Sequence, residues 1–347
     1  MQSAGDVALY RKYRPKSFKE VLGQDHVVGA LEGAIEEGNV GHAYLFYGSR
    51  GTGKTSIARI FAHELGASDT DIHEIDAASF TGVDHIRALR EEVAVMPFAS
   101  ARKVYIVDEV HMLSKAAFNA FLKTLEEPPA HVVFILATTE LEKVPDTIQS
   151  RCQVFTFKKP TTKAVADMVA KVAKAEGYKV EKSSAELVAL LAGGSFRDAL
   201  SILQKIIASS EDTTVSVEEV ERITGAPRGE LVARVIRALA KGDSEDALKA
   251  VAEAAEASAD MEMFALLLLE RLRALLLLRY AKGVGEEVVA SLPEAEGEAL
   301  RELAHDPQSK INSDTLRTLI EASLMIPRSS IPHLPLELAI LELSETQ

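Results

Sequence analysis

A short glycine-rich segment offers the clearest chemistry in this 347-residue chain. It fits the pattern G-x-x-x-x-G-K-[ST], and its residues are Gly48, Ser49, Arg50, Gly51, Thr52, Gly53, Lys54 and Thr55. In such a loop the glycines let backbone N–H groups point at phosphate oxygens, the lysine reaches the β- and γ-phosphates, and the final hydroxyl is a ligand for Mg²⁺. The segment therefore predicts a nucleoside triphosphate site that includes a magnesium ion.

A second segment, VYIVDEVH at residues 104–111, supplies the acids that such a site needs. Asp108 ends an apolar strand candidate, where its carboxylate can hold the same Mg²⁺ that Thr55 contacts. The next carboxylate, Glu109, is suited to orient and deprotonate an attacking water. The alternative is a strand end with two solvated acids. We favour an ATP site that hydrolyses its nucleotide, with Mg²⁺ on Thr55 and Asp108.

The elements around the loop are those that a phosphate site requires. Residues 42–47 form an apolar strand candidate directly before the loop, and Thr55 and Ser56 open a helix whose N-terminus adds a positive end to the cradle. Helix and strand patterns alternate over the first 160 residues, which predicts a parallel sheet covered by helices. The predicted strands are Ala43–Tyr47, Ile72–Ile75, Val104–Asp108, Val132–Ala137 and Val154–Phe157, and the clearest helices between them are Val83–Met96 and Lys115–Leu125.

Beyond Pro160 the sequence predicts helices only. Thr161 and Thr162 resemble a cap for a helix over Lys163–Glu176. The further predicted helices are Ser184–Leu191, Phe196–Ala208, Val217–Ile223, Gly229–Ala240, Ser244–Ala257, Met261–Tyr280, Glu294–Ala304, Asp314–Met325 and Leu334–Leu343. Breaks at Pro160 and at residues 225–227 predict three domains, over residues 1–160, 161–224 and 225–347.

The most hydrophobic segment is Phe264–Leu278. Three charged residues interrupt it, and it is too short to span a bilayer, so a buried helix is expected. It has more apolar positions than one buried stripe needs. The surplus fits either an internal core or an interface between subunits.

Composition limits the class of protein. The net charge is −13, and residues 225–347 alone account for −8, so any DNA-binding surface has to be a local feature of the first two predicted domains. A single cysteine excludes an internal disulfide and a zinc site built from cysteines, and it favours a reducing cytoplasm. No cleavable signal segment is recognisable at the start of the chain.

Two interpretations each are open for Arg151, for the pair Thr138 and Thr139, and for Arg197, whereas Cys152 has one. Arg151 fits a surface ion pair or an arginine finger that reaches the nucleotide of an adjacent subunit. Thr138 and Thr139 end the fourth predicted strand, and a hydroxyl there fits either a cap of the next turn or a contact near the γ-phosphate. Arg197 fits a surface pair with Asp198 or a cation that closes on the nucleotide, and Cys152 fits a small buried residue with no nucleophilic role.

These motifs together resemble a known family. YRKYRPKSFKEVLGQDHVV, HAYLFYGSRGTGKTSIARIFA, VYIVDEVHMLSKAAFNAFLKTLEEPPAHVVFILATTE, VPDTIQSRC and GGSFRDAL, in this order, resemble the gamma/tau subunit of the bacterial DNA polymerase III clamp loader. The resemblance covers residues 8 to about 224 densely and the remainder more loosely. It implies an α/β AAA+ nucleotide-binding domain with a five-stranded parallel sheet, a small helical lid domain and an all-α collar domain for oligomerisation.

The resemblance also assigns roles to residues. It implies that residues 48–56 bind phosphates, that Thr55 and Asp108 serve Mg²⁺, and that Glu109 is the catalytic base. It implies that Thr139 is the first sensor, Arg197 the second, and Arg151 the finger that acts on an adjacent subunit. The segment that borders the adenine and ribose in this family matches Tyr13, Arg14, Pro15 and Leu22.

The implied activity is that of an ATP-driven motor in the cytoplasm. Such a subunit works with copies of itself and with delta and delta-prime type subunits, opens the sliding clamp, and places it on primer-template DNA held through its backbone. The chain departs from the family by lacking the four-cysteine zinc module, so no zinc is expected. Many relatives contact polymerase and helicase through a tail beyond the collar, and whether the native protein has such a tail stays open.

Two alternatives stay open at this point. One is another AAA+ remodeller that acts on DNA, such as a replication factor C small-subunit-like protein or a branch-migration motor. The other is a scaffold subunit that does not hydrolyse ATP, which the presence of Lys54, Thr55, Asp108 and Glu109 disfavours. The candidate DNA contacts are backbone N–H groups at helix starts, near Ser79–Thr81 and at Ser114 and Lys115.

Overall fold

The structure is a computed structural model that describes residues 7–79, 82–210, 212–290, 292 and 294–345. The chain divides into two compact units. The first consists of the residues up to Val165 together with Gly194–Ser201, and the second of Ala166–Gly193 together with the residues from Ile202 onwards.

The first unit is built on a parallel sheet of five strands in the order β2-β3-β4-β1-β5. The strands are β1 (Ala43–Tyr47), β2 (Ile72–Asp76), β3 (Lys103–Asp108), β4 (Val132–Thr138) and β5 (Gln153–Thr156). All five predicted strands are confirmed, and their ends differ from the prediction by one residue at most. The order places β1, which precedes the glycine-rich loop, and β3, which contains the first part of the second motif, on either side of the central strand β4.

Burial explains why these strands could be predicted. Every residue of β4 is buried, as are the first four of β1, because helices cover both faces of a parallel sheet. Alternate side chains enter two separate clusters. Leu45, Tyr105 and Phe134 pack on one face with the helices α4 (Val83–Val93) and α5 (Lys115–Glu126). Phe46 and Ile106 pack on the other face with the helices α2 (Asp25–Glu36) and α3 (Lys54–Glu64).

Six helices accompany the strands of the first unit. They are α1 (Leu9–Lys12), α2 (Asp25–Glu36), α3 (Lys54–Glu64), α4 (Val83–Val93), α5 (Lys115–Glu126) and α6 (Asp146–Gln149). The prediction for α4 was three residues too long at its C-terminus, since Ala94 ends the helix as its C-cap. Ser114 caps α5 by accepting a hydrogen bond from the Ala117 N–H at 3.2 Å.

The remaining helices follow after β5. They are α7 (Thr162–Ala175), α8 (Lys182–Leu191), α9 (Phe196–Ser209), α10 (Val217–Thr224), α11 (Gly229–Lys241), α12 (Ser244–Glu256), α13 (Met261–Tyr280), α14 (Lys282–Val289), α15 (Glu294–His305), α16 (Ser313–Met325) and α17 (Leu334–Glu345). The expected cap of α7 is confirmed, because the Thr161 hydroxyl accepts from the Ala164 N–H at 3.2 Å.

The expectation of helices only beyond Pro160 was wrong in one respect. Two short strands, β6 (Lys179–Val180) and β7 (Thr214–Val215), pair in parallel in the second unit. Each has two residues, which is too short for an alternating pattern to appear in the sequence.

The apolar surplus of the α13 segment forms an internal core. Nine residues of α13 are buried, among them Phe264, Leu272 and Leu275, and α13 packs against α11, α14, α15 and α16. The second unit instead exposes apolar side chains on α16 and α17. These are Ile320, Leu324 and Met325 on α16 and Leu334, Leu338 and Leu341 on α17. Within the described part of the chain, no helix is both long and apolar enough to cross a membrane.

Candidate functional site

The glycine-rich loop lies between the end of β1 and the start of α3. Gly51 and Gly53 have φ angles of +75° and +100°, which other residues rarely adopt. The loop is tied to the sheet where the Gly48 N–H donates to the Thr138 carbonyl at 3.2 Å. Strand, turn and helix N-terminus therefore meet as the sequence predicted, in a geometry suited to an anion.

Lys54 is the first residue of α3 and is buried. Its Nζ donates to the carbonyl oxygens of Gly48 at 2.7 Å and Ser49 at 3.0 Å. Burial lowers the pKa of Lys54, and the nearby Glu109 and Asp108 carboxylates act in the opposite direction. The ammonium is thus held inside the loop that would surround the phosphates.

Thr55 and Asp108 meet directly, although 53 residues separate them in the chain. The Thr55 hydroxyl donates to Asp108 Oδ2 at 2.8 Å. A hydroxyl and a carboxylate side by side at the loop form an all-oxygen donor set, which is what Mg²⁺ prefers when phosphate oxygens and waters complete its shell. The residues present therefore fit a Mg²⁺–nucleotide complex.

Glu109 has an unusual backbone. Its φ and ψ angles of 48° and 45° are left-handed, which is uncommon for a residue other than glycine and clusters at functional sites. Asp108 Oδ1 accepts from the Glu109 N–H at 3.0 Å, and Glu109 Oε2 accepts from the Thr139 hydroxyl at 3.2 Å. The structure thus brings the predicted base and the predicted first sensor into contact. Thr138 caps the next turn, because its Oγ1 accepts a hydrogen bond from the Glu140 N–H at 3.0 Å.

Arg197 lies beside the loop in the first unit. The preceding residue, Phe196, donates its N–H to the Gly51 carbonyl at 3.2 Å. The Arg197 guanidinium lies over the Tyr10 ring, 4.9 Å from its centroid, which is a cation–π contact. The structure therefore places Arg197 close to the glycine-rich loop and next to the segment that precedes Tyr13.

Arg151 is further out, in the turn between α6 and β5, and its side chain is 34% exposed. Its Nη2 donates to Glu126 Oε1 at 2.6 Å and its Nη1 to the Thr147 carbonyl at 2.8 Å. The surface ion pair considered for this residue is therefore present within the chain. A contact with an adjacent subunit stays a prediction.

The N-terminal segment contributes the predicted adenine border. Tyr13, Arg14 and Pro15 are half-buried, and Leu22 is exposed. Burial lowers the pKa of Arg14, and the neighbouring Arg59 acts in the same direction. No sequence pattern singled out Gln24, which is fully buried and joins this segment to Lys158 by two hydrogen bonds of 2.7 and 3.1 Å.

The other predicted positions have plain structural roles. Cys152 packs against the core cluster, and burial raises the pKa of its thiol to about 12, as expected for an unreactive residue. Ser114 uses its hydroxyl to cap α5. Of the other candidate helix start for DNA contact, Ser79 donates its N–H to the Asp76 carbonyl at 3.0 Å, and residues 80 and 81 lie outside the described part of the chain.

Comparisons with known proteins identify the family. The model for "DNA polymerase III, delta subunit" matches residues 66–161, that for "DNA polymerase III clamp loader subunit, ATPase lid domain" matches residues 164–212, and that for "DNA polymerase III subunits gamma and tau domain III" matches residues 215–347. The chain belongs to the DNA polymerase III gamma/tau family.

Individual relatives agree with this membership. DNA polymerase III subunit tau of Bacillus subtilis is 38% identical over 98% of this chain and 63% of its own length. The gamma/tau subunit of Mycobacterium tuberculosis is 38% identical over 86% of the chain and 56% of its own length, and subunit tau of Escherichia coli is 36% identical over 94% and 53%. This gamma/tau family chain spans between half and two thirds of the length of these relatives.

Among solved structures, the RuvB Holliday junction branch migration motor of Thermotoga maritima has a TM-score of 0.54 at 19% identity, covering 89% of this chain and 98% of that one. At that identity the likeness shows the fold alone. The gamma/tau chain therefore has the AAA+ fold, and the family models add a lid domain and a helical C-terminal region. The alternative of a replication factor C-like remodeller is not favoured, because the matching family models and relatives are those of DNA polymerase III.

Proposed function

We propose that this chain is an ATP-driven motor subunit of the sliding-clamp loader in bacterial DNA replication. One observation carries the chemical part of the proposal. The Thr55–Asp108 contact of 2.8 Å and the Glu109–Thr139 contact of 3.2 Å lie at the ends of neighbouring strands, directly beside the glycine-rich loop. Family membership supports the biological part.

The residues divide the work by position. The N–H groups of the loop and the ammonium of Lys54 would bind the phosphates of ATP, and the Thr55 and Asp108 oxygens would hold Mg²⁺. When bound, Mg²⁺ supplies positive charge that offsets the charge developing on the phosphate oxygens. Glu109 would accept a proton from the attacking water, with Thr139 orienting the Glu109 carboxylate.

Two arginines would complete the site. Arg197, beside the loop, would act on the γ-phosphate from the same chain. Arg151 would act on the nucleotide of an adjacent subunit, which makes hydrolysis depend on assembly. Tyr13, Arg14, Pro15 and Leu22 would border the adenine and ribose.

The partners that we propose follow from the family and from the exposed surface. They are copies of this chain, delta and delta-prime type subunits, the sliding clamp, and primer-template DNA bound through its backbone. The exposed apolar side chains of α16 and α17 would pack against neighbouring subunits, since patches of this kind mark protein interfaces. We retain the division into domains at residues 1–160, 161–224 and 225–347 as part of the proposal, and cytoplasmic location follows from the replication role.

The decisive experiment measures ATP binding and turnover separately. ATP affinity is measured on the isolated chain, and steady-state ATPase on its complex with delta and delta-prime type subunits. Lys54→Ala should abolish binding, whereas Glu109→Gln should keep binding and stop turnover. Glu142→Gln, which changes another acid of the first unit, is the matched control and should behave like the wild type.

A second measurement tests the loading role. ATPase of the complex should rise when the clamp and primed template are added together. A Holliday junction without the clamp should not substitute for them. An ATPase rate that does not rise when the clamp and primed DNA are added would contradict the proposal. Stimulation by the junction would favour a branch-migration motor.

A further inference from the structure

Tyr10 is an aromatic residue beside the proposed nucleotide site that the sequence motifs left without a role. It belongs to α1, just before the proposed adenine border, and it is half-buried. The Arg197 guanidinium lies over its ring, 4.9 Å from the centroid, and the Arg11 guanidinium lies 5.7 Å from the centroid. Both distances are in the range of a cation–π contact. The ring therefore links the N-terminal segment to the first turn of α9.

The backbone of Arg197 is fixed against the glycine-rich loop, whereas its side chain is exposed. The Phe196 N–H donates to the Gly51 carbonyl at 3.2 Å, and Ser195 Oγ accepts from the Asp198 N–H at 3.2 Å. Within the described part of the chain, no ion pair joins Arg197 to Asp198, so that interpretation of the sequence is not the one observed. An arginine side chain is long and flexible, and a contact at its far end is needed to hold the guanidinium in one place.

The charges near Arg197 include other arginines. Burial lowers the pKa of Arg14, and the positive charges of Arg197 and Arg11 act in the same direction. The Glu74 carboxylate acts on Arg14 in the opposite direction, but it is paired with Arg59. Arg197 therefore lies among like charges, and the negative face of the aromatic ring supplies an attraction that offsets their repulsion.

We propose that Tyr10 is a positioning residue whose ring face holds the Arg197 guanidinium beside the glycine-rich loop, where it can meet the γ-phosphate of ATP. This inference rests on the proposed function, in which Arg197 acts on that phosphate from the same chain. Without the ring, ATP should bind more weakly, because a guanidinium that is not held beforehand loses more conformational freedom when it meets the phosphate. ADP lacks the γ-phosphate, so its affinity should not change.

The first test compares two nucleotides on the isolated chain and needs no turnover. The probes are ADP and the β,γ-imido analogue of ATP, which is not hydrolysed. Tyr10→Leu should weaken binding of the analogue by about two- to fivefold, the range that a cation–π contact on an exposed surface supports, and should leave ADP binding unchanged. The control is Tyr280→Leu, because Tyr280 is 75% exposed on α13, and it should change neither affinity.

The second test separates the ring from the hydroxyl. A hydrogen bond from Arg11, with smaller contributions from Arg197, lowers the pKa of the Tyr10 hydroxyl, so the hydroxyl needs its own control. Tyr10→Phe keeps the ring face and should bind both nucleotides like the wild type. Tyr10→pentafluorophenylalanine keeps the ring but removes the negative charge from its face, so it should behave like Tyr10→Leu.

The third test asks whether Tyr10 acts through Arg197. In an Arg197→Ala background no guanidinium is present, so Tyr10→Leu should cause no further change in the ratio of the two affinities. An effect of Tyr10→Leu that persists in this background would overturn the proposal. Equal losses for the analogue and ADP would overturn it too, because Tyr10 would then support only the adenine border.

The remaining outcomes also decide the proposal. An unchanged or tighter binding of the analogue in Tyr10→Leu would overturn it, and so would a loss in Tyr10→Phe as large as that in Tyr10→Leu. Thermal melting is measured first, and if Tyr10→Leu unfolds, the comparison of the Phe and pentafluorophenylalanine variants still decides. If the wild-type complex bound ATP without hydrolysing it, the proposed function would fail, while the affinities of the isolated chain would continue to report on the contact between Tyr10 and Arg197.

Discussion

Substitution of Gly51 by alanine tests the geometry of the glycine-rich loop. Gly51 has a φ of +75°, and an added Cβ would overlap Ser195 Oγ and lie 2.8 Å from Ser195 Cβ. Left-handed strain in an alanine costs about 1–2 kcal/mol. Displacement of Ser195 adds roughly 1–3 kcal/mol, the usual penalty for overpacking. We therefore expect local destabilisation of roughly 2–5 kcal/mol and a corresponding loss of ATP affinity.

Two other glycines separate strain from overlap. Gly53 and Gly66 also have positive φ, at +100° and +81°, but a Cβ at either would meet no atom within 4 Å. Gly53→Ala and Gly66→Ala should therefore be destabilised only by the backbone strain, without overlap. Adding Ser195→Gly to Gly51→Ala should restore the part of the lost stability that comes from overlap with the Ser195 side chain.

The assay has to report on the first unit alone, because the chain has two compact units. Native-state hydrogen exchange of the peptide that covers α3 gives the free energy of opening at that place. ATP affinity is measured on the same samples. Equal destabilisation by Gly51→Ala and Gly66→Ala, or no recovery on adding Ser195→Gly, would refute the role assigned to the overlap.

Three further predictions concern single residues: Glu126, Asp71 and Leu338. Glu126→Gln removes the half-exposed carboxylate that is paired with Arg151. We expect unchanged ATP affinity and a change of about fivefold at most in assembled ATPase, because an exposed ion pair contributes little energy and has to open for turnover. Arg151→Ala should instead lose nearly all assembled ATPase, and equal losses in the two variants would contradict this order. The Ser100 hydroxyl, together with the backbone N–H groups of Phe98 and Ala99, holds the pKa of the buried Asp71 far below its usual value. The stability that Asp71 contributes is therefore present above the unfolded pKa of about 4 and is lost as pH falls through the folded pKa. Asp71→Asn should therefore lower the unfolding midpoint at pH 7 and converge with the wild type in acid, and a constant difference across the pH series would argue against it. Leu338 is 54% exposed on α17, so Leu338→Glu should change the stability of the chain by no more than about 0.5 kcal/mol. The same substitution should weaken assembly as measured by sedimentation. Met112→Glu, at a residue 47% exposed in the first unit, is the control and should leave assembly intact.

Much of the first unit was predictable because its signals are local. A buried parallel strand is a continuous apolar run, so β1 and β4 appear in the sequence with nearly correct ends. Helices that contain residues of high helix propensity and begin after a clear N-cap residue could be predicted equally well, and α5 after Ser114 is an example. Helix α14 was not predicted, since Gly283 and Gly285 lower its intrinsic propensity and only packing in the second unit selects it.

The site divides in the same way. The glycine-rich loop and the pair Asp108–Glu109 are contiguous motifs, so their residue types and spacing are enough to indicate their chemistry. The contact of His111 with Glu140 at 3.1 Å joins residues that follow two neighbouring strands, β3 and β4. The cation–π contact of Arg197 depends on Tyr10, far away in sequence. Contacts of this kind arise from tertiary placement, and no local pattern carries them.

The charged groups assigned to the nucleotide all have partners within the chain. Lys54 donates to two loop carbonyls, Glu109 contacts Thr139 and His111, and Arg151 is paired with Glu126. For Glu109 and Arg151, exchanging one hydrogen bond for another changes the free energy by only about 0.5–1.5 kcal/mol, so these two side chains add little net affinity for ATP. Affinity for ATP would then come mainly from the loop N–H groups, the Lys54 ammonium and the α3 N-terminus, which belong to one chain. Turnover would need Arg151 to leave Glu126 for a neighbour's phosphate. Assembly should therefore raise kcat much more than it tightens binding of ATP, because it supplies a group for the transition state and adds none to the ground-state cradle.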